Sequence, residues 1–203
     1  MVAPVLSQTS LFGNEEPCCD ESFSSVRRID LGQGAWLEIA SGWLRGHARL
    51  FDALRRETTW RSEERKMYDR VVDVPRLYAM LPDDGPEHPA IEAMRRTLER
   101  RYETAFDRVS LALYRDAADS VAWHGDRVAR RMPNALVATV SVGAPRRFLL
   151  RPYGGGRSIG HTLGWGDLNV MGGSCQRTFQ HCVPKVARAE PRIAIMFRPT
   201  WEE

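Results

Sequence analysis

The chain has 203 residues, 43% of them hydrophobic, and a formal net charge of +3. That length and apolar content suit one domain with a substantial buried core. No run of about 18 or more apolar residues exists to span a membrane, and no basic segment followed by an apolar core marks a signal peptide, so a cytoplasmic protein is expected. Lys66 and Lys185 are the only lysines, which makes the basic complement almost wholly arginine, the residue that binds carboxylate and phosphate bidentately. Cys18, Cys19, Cys175 and Cys182 follow no zinc-ribbon or C-x-x-C spacing. Four free thiols in a reducing compartment are expected.

In chain order, residues 1–22 are polar and mixed and predict a flexible N-terminal arm, with a single domain over 23–203. Val26 to Ala40 alternates weakly and predicts one or two short strands, with Ala35, Leu37 and Ile39 on one face and Trp36 on the other. Ser41 is placed to cap a helix whose stripe is His47, Leu50, Phe51 and Leu54. Residues 55–88 show little periodicity, many charges and several aromatics, and predict a long irregular segment. Pro89 opens a helix in which Ile91, Met94, Leu98 and Tyr102 recur at helical spacing.

Beyond Phe106 the pattern turns to strands. Val109, Leu111 and Leu113 alternate, as do Leu136, Ala138, Val140 and Val142, and again Ile193, Ile195 and Phe197. Shorter runs cover Arg147–Leu150 and Leu168–Met171, with glycine and proline between them. Many short strands divided by such turns predict a sandwich or barrel. The fold class expected is α+β, mainly β: helices first, then an antiparallel jelly roll.

Of five histidines, only His124 is followed two positions later by a carboxylate, Asp126, with Gly125 between them. On a strand these two side chains share a face. A third ligand from a distant strand would complete a two-histidine, one-carboxylate face with three coordination positions open, the arrangement a non-haem iron(II) oxygenase requires. His181, in Gln180-His181-Cys182-Val183-Pro184, is the candidate third ligand, and His161 competes with it. Pro191 is followed by a strand carrying Arg192, Ala194, Met196 and Arg198 on one face. Two arginines on one face of a core strand need anionic partners, and a dicarboxylate cosubstrate would suit both.

These segments together resemble a known family. Tyr114-Arg115-Asp116 and Asp119-Ser120-Val121-Ala122-Trp123-His124-Gly125-Asp126 are similar to the first half of the signature of the AlkB-type dioxygenases. Val140 to Gly143 with Arg147-Phe148, then Gly166-Asp167-Leu168 with Met171-Gly172, then His181 to Lys185, and finally Arg192 to Arg198 resemble the rest of it, in order. Val74-Pro75-Arg76-Leu77 resembles the family's substrate lid more loosely. The resemblance implies a double-stranded β-helix (core over 107–203, nucleotide lid over 55–82). It implies an Fe(II)/2-oxoglutarate-dependent oxidoreductase that demethylates alkylated nucleobases of the 1-methyladenine or 3-methylcytosine type, in DNA or RNA, as in DNA repair. Its metal ligands would be His124, Asp126 and His181. Its 2-oxoglutarate would be held by Tyr114, Arg192 and Arg198.

Trp60, Arg76, Tyr78 and Arg127 are the substrate-binding candidates, basic and aromatic as nucleic acid requires. The partners implied are dioxygen and alkylated nucleic acid, single-stranded or with the base flipped, acted on by a monomer. A same-fold oxygenase acting on a small molecule or protein, and a non-catalytic nucleic-acid-binding homologue, are the alternative readings. The chain departs from the family's pattern at Ala112 and Ala194, where polar residues often support the cosubstrate. It departs again at Arg127 and Val128, where the family often has an acidic residue that reads the base.

Overall fold

A computed structural model describes residues 15–67, 70–85, 88–125, 132 and 134–200, with the backbone course alone given for 63–67 and 70–73. The elements run β1 (Cys18–Cys19), β2 (Val26–Gly32), β3 (Ala35–Ala40), β4 (Leu44–Arg45), α1 (His47–Glu57), β5 (Arg61–Met67), β6 (Arg70–Leu81) and α2 (Pro89–Tyr102). They continue with β7 (Arg108–Tyr114), β8 (Val121–His124), β9 (Val137–Gly143), β10 (Arg146–Pro152), β11 (Ile159–Leu163), β12 (Asp167–Gly173), α3 (Cys175–Thr178), β13 (Phe179–Val183) and β14 (Arg192–Arg198).

An eight-stranded sheet has the order β2-β3-β12-β9-β14-β7-β6-β5, and a four-stranded sheet the order β11-β10-β13-β8. The pairings are antiparallel. The large sheet is covered on both faces. On one, Val109, Leu111, Ile193, Ile195 and Phe197 pack with Leu50 and Leu54 of α1 and with Ile91, Met94 and Leu98 of α2. On the other, Leu37, Ile39, Met171 and Met196 meet Phe148, Leu150 and Phe179 of the small sheet. Three layers result, helices on sheet on sheet, and the two sheets form a jelly roll with the cavity between them.

The alternating strands and the Pro89 helix are where the pattern placed them. In α2, Pro89 stands in the first turn and the His88 Nδ1 accepts from the Ala90 N–H at 3.1 Å, closing one of the free N-terminal donors. Four expectations change. Ser41 caps nothing: α1 starts after Gly46, whose φ of 66° is left-handed. Residues 15–22 are no loose arm. Cys18 and Cys19 pair with β4, the Asp20 N–H donates to the Trp43 carbonyl at 2.8 Å, and the Trp43 indole donates back to the Asp20 carbonyl at 2.9 Å. A Cβ at Gly46 would strike the backbone of Glu15 to Pro17; residues 1–14 lie outside the described residues.

The third change is in the 55–88 segment, which holds a hairpin, β5–β6, that extends the large sheet. Its periodicity is hidden because β6 meets β7 only over Leu77–Leu81, and because the β5–β6 register shifts between Ser62 and Glu64. Pro75 falls in that interruption, where its missing N–H costs no ladder bond. Fourthly, the sheet core is wider than 107–203, since β2, β3 and β6 belong to it.

Candidate metal and cosubstrate site

The metal candidates lie at a defect in strand pairing. β8 pairs with β13 as His124↔His181 and Val121↔Val183, so three steps on β8 oppose two on β13. This bulge turns Val121 and His124 to the same side, into the cavity. The rings of His124 and His181 lie 4.3 Å apart between centroids, tilted by 54°. His124 Nδ1 donates to the Ala122 carbonyl at 2.8 Å, which fixes the proton there and leaves Nε2 as the nitrogen able to bind a metal. Phe148 backs His181, with ring centroids 5.5 Å apart. Gly125 is closely walled: a Cβ there would stand 2.7 Å from the Tyr153 Oη and 3.2 Å from the Gln176 carbonyl oxygen. Asp126 and Arg127 lie outside the described residues. His161 sits on β11, opposite Phe148 at the far edge of the small sheet, and does not line the cavity. Burial, then Arg27 and Arg147, lower its pKa below the usual value.

The cavity, of about 530 Å³, has the histidine pair on one wall and the large sheet on the other. The inner face of that sheet is laid out in rows. Gly143, Arg192 and Tyr114 form one; Ser141, Ala194, Ala112 and Tyr78 the next; Asn169, Thr139, Met196, Ser110 and Met80 the third. Arg192, Ala194, Met196 and Arg198 all line the cavity.

Arg192 is 2% exposed. Its Nη2 donates to the Ser141 Oγ at 2.6 Å, and its guanidinium carbon lies 5.3 Å from the centre of the Tyr114 ring. Its Nε and Nη1 have no partner. Burial lowers its pKa from the usual arginine value, against the pull of Tyr114. A buried cation with unused N–H groups facing a cavity is a receptor for an anion. Arg198 reaches the Ser110 Oγ with Nη1 at 2.8 Å. The residues present therefore fit both groups the sequence suggested: two imidazoles side by side for a metal, and an open guanidinium for a carboxylate.

Two arrangements escaped the sequence. Arg146, 2% exposed, donates to the carbonyls of Asp116 (2.8 Å), Asp119 (2.7 Å) and Pro184 (3.0 Å). It thereby ties the loop before β8 to the segment after β13, bracing both histidine strands. Asp119 closes the same loop by accepting from the Arg115 backbone N–H, Nε and Nη2 at 2.7–2.9 Å. The second is Asn169, 1% exposed on the cavity wall with an unpartnered Oδ1. Of the substrate candidates, Arg76 and Tyr78 line the cavity. Trp60 does not: it packs against the helix-side core, and its indole donates to the Arg55 carbonyl at 3.3 Å.

The pattern that defines the 2OG-Fe(II) oxygenase superfamily matches residues 56–198. The chain belongs to that superfamily. The cofactor and cosubstrate of this oxygenase are accordingly iron(II) and 2-oxoglutarate. Its relatives are of the AlkB type. It is 29% identical to the alpha-ketoglutarate-dependent dioxygenase alkB homolog 3 of Bos taurus, over 76% of this chain and 62% of that protein. It is 28% identical to the human protein of the same name, over 73% of this chain and 52% of that protein. The chain thus spans between half and two thirds of these relatives' length. The DNA oxidative demethylase ALKBH2 of Arabidopsis thaliana is 27% identical, over 95% of this chain and 75% of its own. Among solved structures, OsALKBH1 superposes with a TM-score of 0.56 at 14% identity, over 86% of this oxygenase and 100% of that chain. That likeness concerns the fold.

Proposed function

We propose that this oxygenase demethylates alkylated nucleobases of the 1-methyladenine or 3-methylcytosine type in DNA or RNA. His124, Asp126 and His181 hold iron(II), and Arg192, Tyr114 and Arg198 hold 2-oxoglutarate. The observation that carries the site is Arg192, buried with two unpartnered nitrogens across the cavity from the paired histidines. When bound, iron and cosubstrate supply the oxidation, dividing dioxygen between succinate and the N-methyl group, which leaves as formaldehyde.

The chain's own residues do the rest. The Ala122 carbonyl keeps the proton of His124 on Nδ1. Arg192, steadied by Ser141 and Tyr114, takes the carboxylate remote from the metal. Val121, Val183 and Met171 close the cavity against water with apolar walls. Arg76 and Tyr78 stand on β6, at the side where a flipped base and its phosphate would enter. Nucleic acid as substrate is favoured by that basic and aromatic strand and by the names of the relatives.

The test is formaldehyde release from a 1-methyladenine oligonucleotide with iron(II) and 2-oxoglutarate, His181→Ala serving as the inactive control and His161→Ala as the active one. Turnover of 2-oxoglutarate without any loss of the methyl group would reject the nucleobase and keep the oxygenase.

A further inference from the structure

The cavity wall carries more positive charge than the cosubstrate uses. Among the described residues that line it are Arg76, Arg108, Arg192 and Arg198, and no carboxylate. Arg192 and Arg198 face the cosubstrate and Arg76 stands where the substrate enters, which leaves Arg108. It opens β7 on the cavity side, in register with Arg198 of β14. Like charges directly opposite on neighbouring strands repel. Arg108 makes no ion pair with any described residue, so the repulsion is left for a bound anion to relieve.

The two opposed arginines are turned to different places. Arg198 lies along the sheet, its Nη1 on the Ser110 Oγ at 2.8 Å and its Nη2 at 3.5 Å from the Met196 Sδ, and both of those residues are buried. Arg108 is exposed, at the cavity mouth. A small dicarboxylate gains little from an exposed cation, whereas a polyanion releases condensed counterions with every phosphate that is neutralised. β7 adjoins β6, the strand of Arg76 and Tyr78. Continuing the register from Leu77↔Leu113 sets Arg76 beside Tyr114, six residues from Arg108 along β7 and so roughly 20 Å away. The mouth thus has a cation at each end and Tyr78 between them, a span that a short run of extended strand covers and a lone nucleotide does not.

We propose that Arg108 holds a backbone phosphate of the substrate strand, at the end of the cavity mouth away from Arg76. This rests on the nucleobase reading of the site. The nucleotide with the alkylated base enters between the two arginines, so Arg108 touches the backbone of its neighbours and not the base. Such a contact responds to strand length and charge, and not to sequence.

The experiment compares wild type, Arg108→Ala and Arg108→Lys as full-length protein loaded with manganese(II) and 2-oxoglutarate. Affinities for the 1-methyladenine mononucleotide and for a single-stranded heptanucleotide with 1-methyladenine at its centre are measured over a salt series, and 2-oxoglutarate affinity by calorimetry. Arg108→Ala is expected to weaken the heptanucleotide about fivefold at low salt, the upper end for an exposed ion pair. The slope of log affinity against log salt should become shallower by about 0.7, the loss of one phosphate contact on a single strand. Arg108→Lys should keep the wild-type slope, since a phosphate accepts a point charge. Affinities for the mononucleotide and for 2-oxoglutarate should not change. An unchanged slope in Arg108→Ala, an equal weakening of the mononucleotide, or a loss of 2-oxoglutarate affinity overturns the proposal, the last by assigning Arg108 to the cosubstrate. Wild-type protein that binds 2-oxoglutarate but not the heptanucleotide would instead defeat the nucleobase reading, and this proposal with it.

Discussion

Gly125→Ala is the smallest change that tests whether the histidine strand is held in place by packing. The added methyl would stand 2.7 Å from the Tyr153 Oη and 3.2 Å from the Gln176 carbonyl oxygen. The second contact is tight by a few tenths of an ångström, while the first requires Tyr153 or the end of β8 to move. Overpacking of this kind costs about 1–3 kcal/mol. Where the movement falls on His124, the same energy appears as about a 5- to 150-fold loss of metal affinity. Tyr153→Phe removes the offending oxygen. The double variant should therefore recover much of the loss, with a coupling energy of about 1 kcal/mol in a double-mutant cycle. Urea denaturation of the metal-free protein and calorimetric titration with manganese(II) measure both quantities. If Gly125→Ala matches wild type in both, or if Tyr153→Phe gives no relief, the close walls around Gly125 do not position the ligands.

Three further outcomes are expected. Arg192→Lys should weaken 2-oxoglutarate about 10- to 150-fold by calorimetry, since a single ammonium cannot span Ser141, Tyr114 and a carboxylate as the guanidinium does. Arg146→Ala should destabilise the fold by about 3 kcal/mol in denaturant and lower metal affinity too, because three carbonyls, that of the buried Asp119 among them, lose their donor at once. The last concerns acid. Burial alone would raise the Asp119 carboxyl, but the hydrogen bonds from Arg115 and the charge of Arg146 outweigh it and hold its pKa below the usual carboxylate value. A depressed pKa gives stability that is fully present above the unfolded value of about 3.9 and is lost as pH falls through the folded one. Melting temperature measured downward from pH 6 should therefore fall less steeply below about pH 4 in Asp119→Asn than in wild type.

Much of the fold could be read from the residues because the large sheet is buried on both faces while its strands still alternate. Val109, Leu111 and Leu113 turn to the helices, and Ser110 and Tyr114 to the cavity. The Arg192–Arg198 face was legible for the same reason, as arginines at the two ends of an alternating strand, whereas His181 is the middle residue of β13, between Gln180 and Cys182. β5 and β6 were not, since Pro75 and the register shift break the period where half the hairpin has no sheet neighbour beyond its partner. The β8 bulge has no signature in Val121-Ala122-Trp123-His124. It exists only in the pairing with β13, and it decides which way His124 points. Arg146 is one arginine among 27, distinguished only by the three carbonyls that converge on it. The docking of residues 15–22 was hidden because it rests on backbone hydrogen bonds and on side chains far along the chain, the Trp43 indole, Arg49 and Arg100.

β14 has a consequence for how this protein tolerates change. Ile193, Ile195 and Phe197 belong to the helix-side core, while Arg192, Ala194, Met196 and Arg198 face the cavity. Saturation mutagenesis along these seven residues should give two interleaved phenotypes. Odd-numbered positions would lose soluble protein, and even-numbered ones would keep the protein and lose its ligand. Drift in substrate or cosubstrate preference can then proceed along one side of a strand whose other side hardly varies, so a divergent relative could keep this spine residue for residue while its chemistry moves elsewhere.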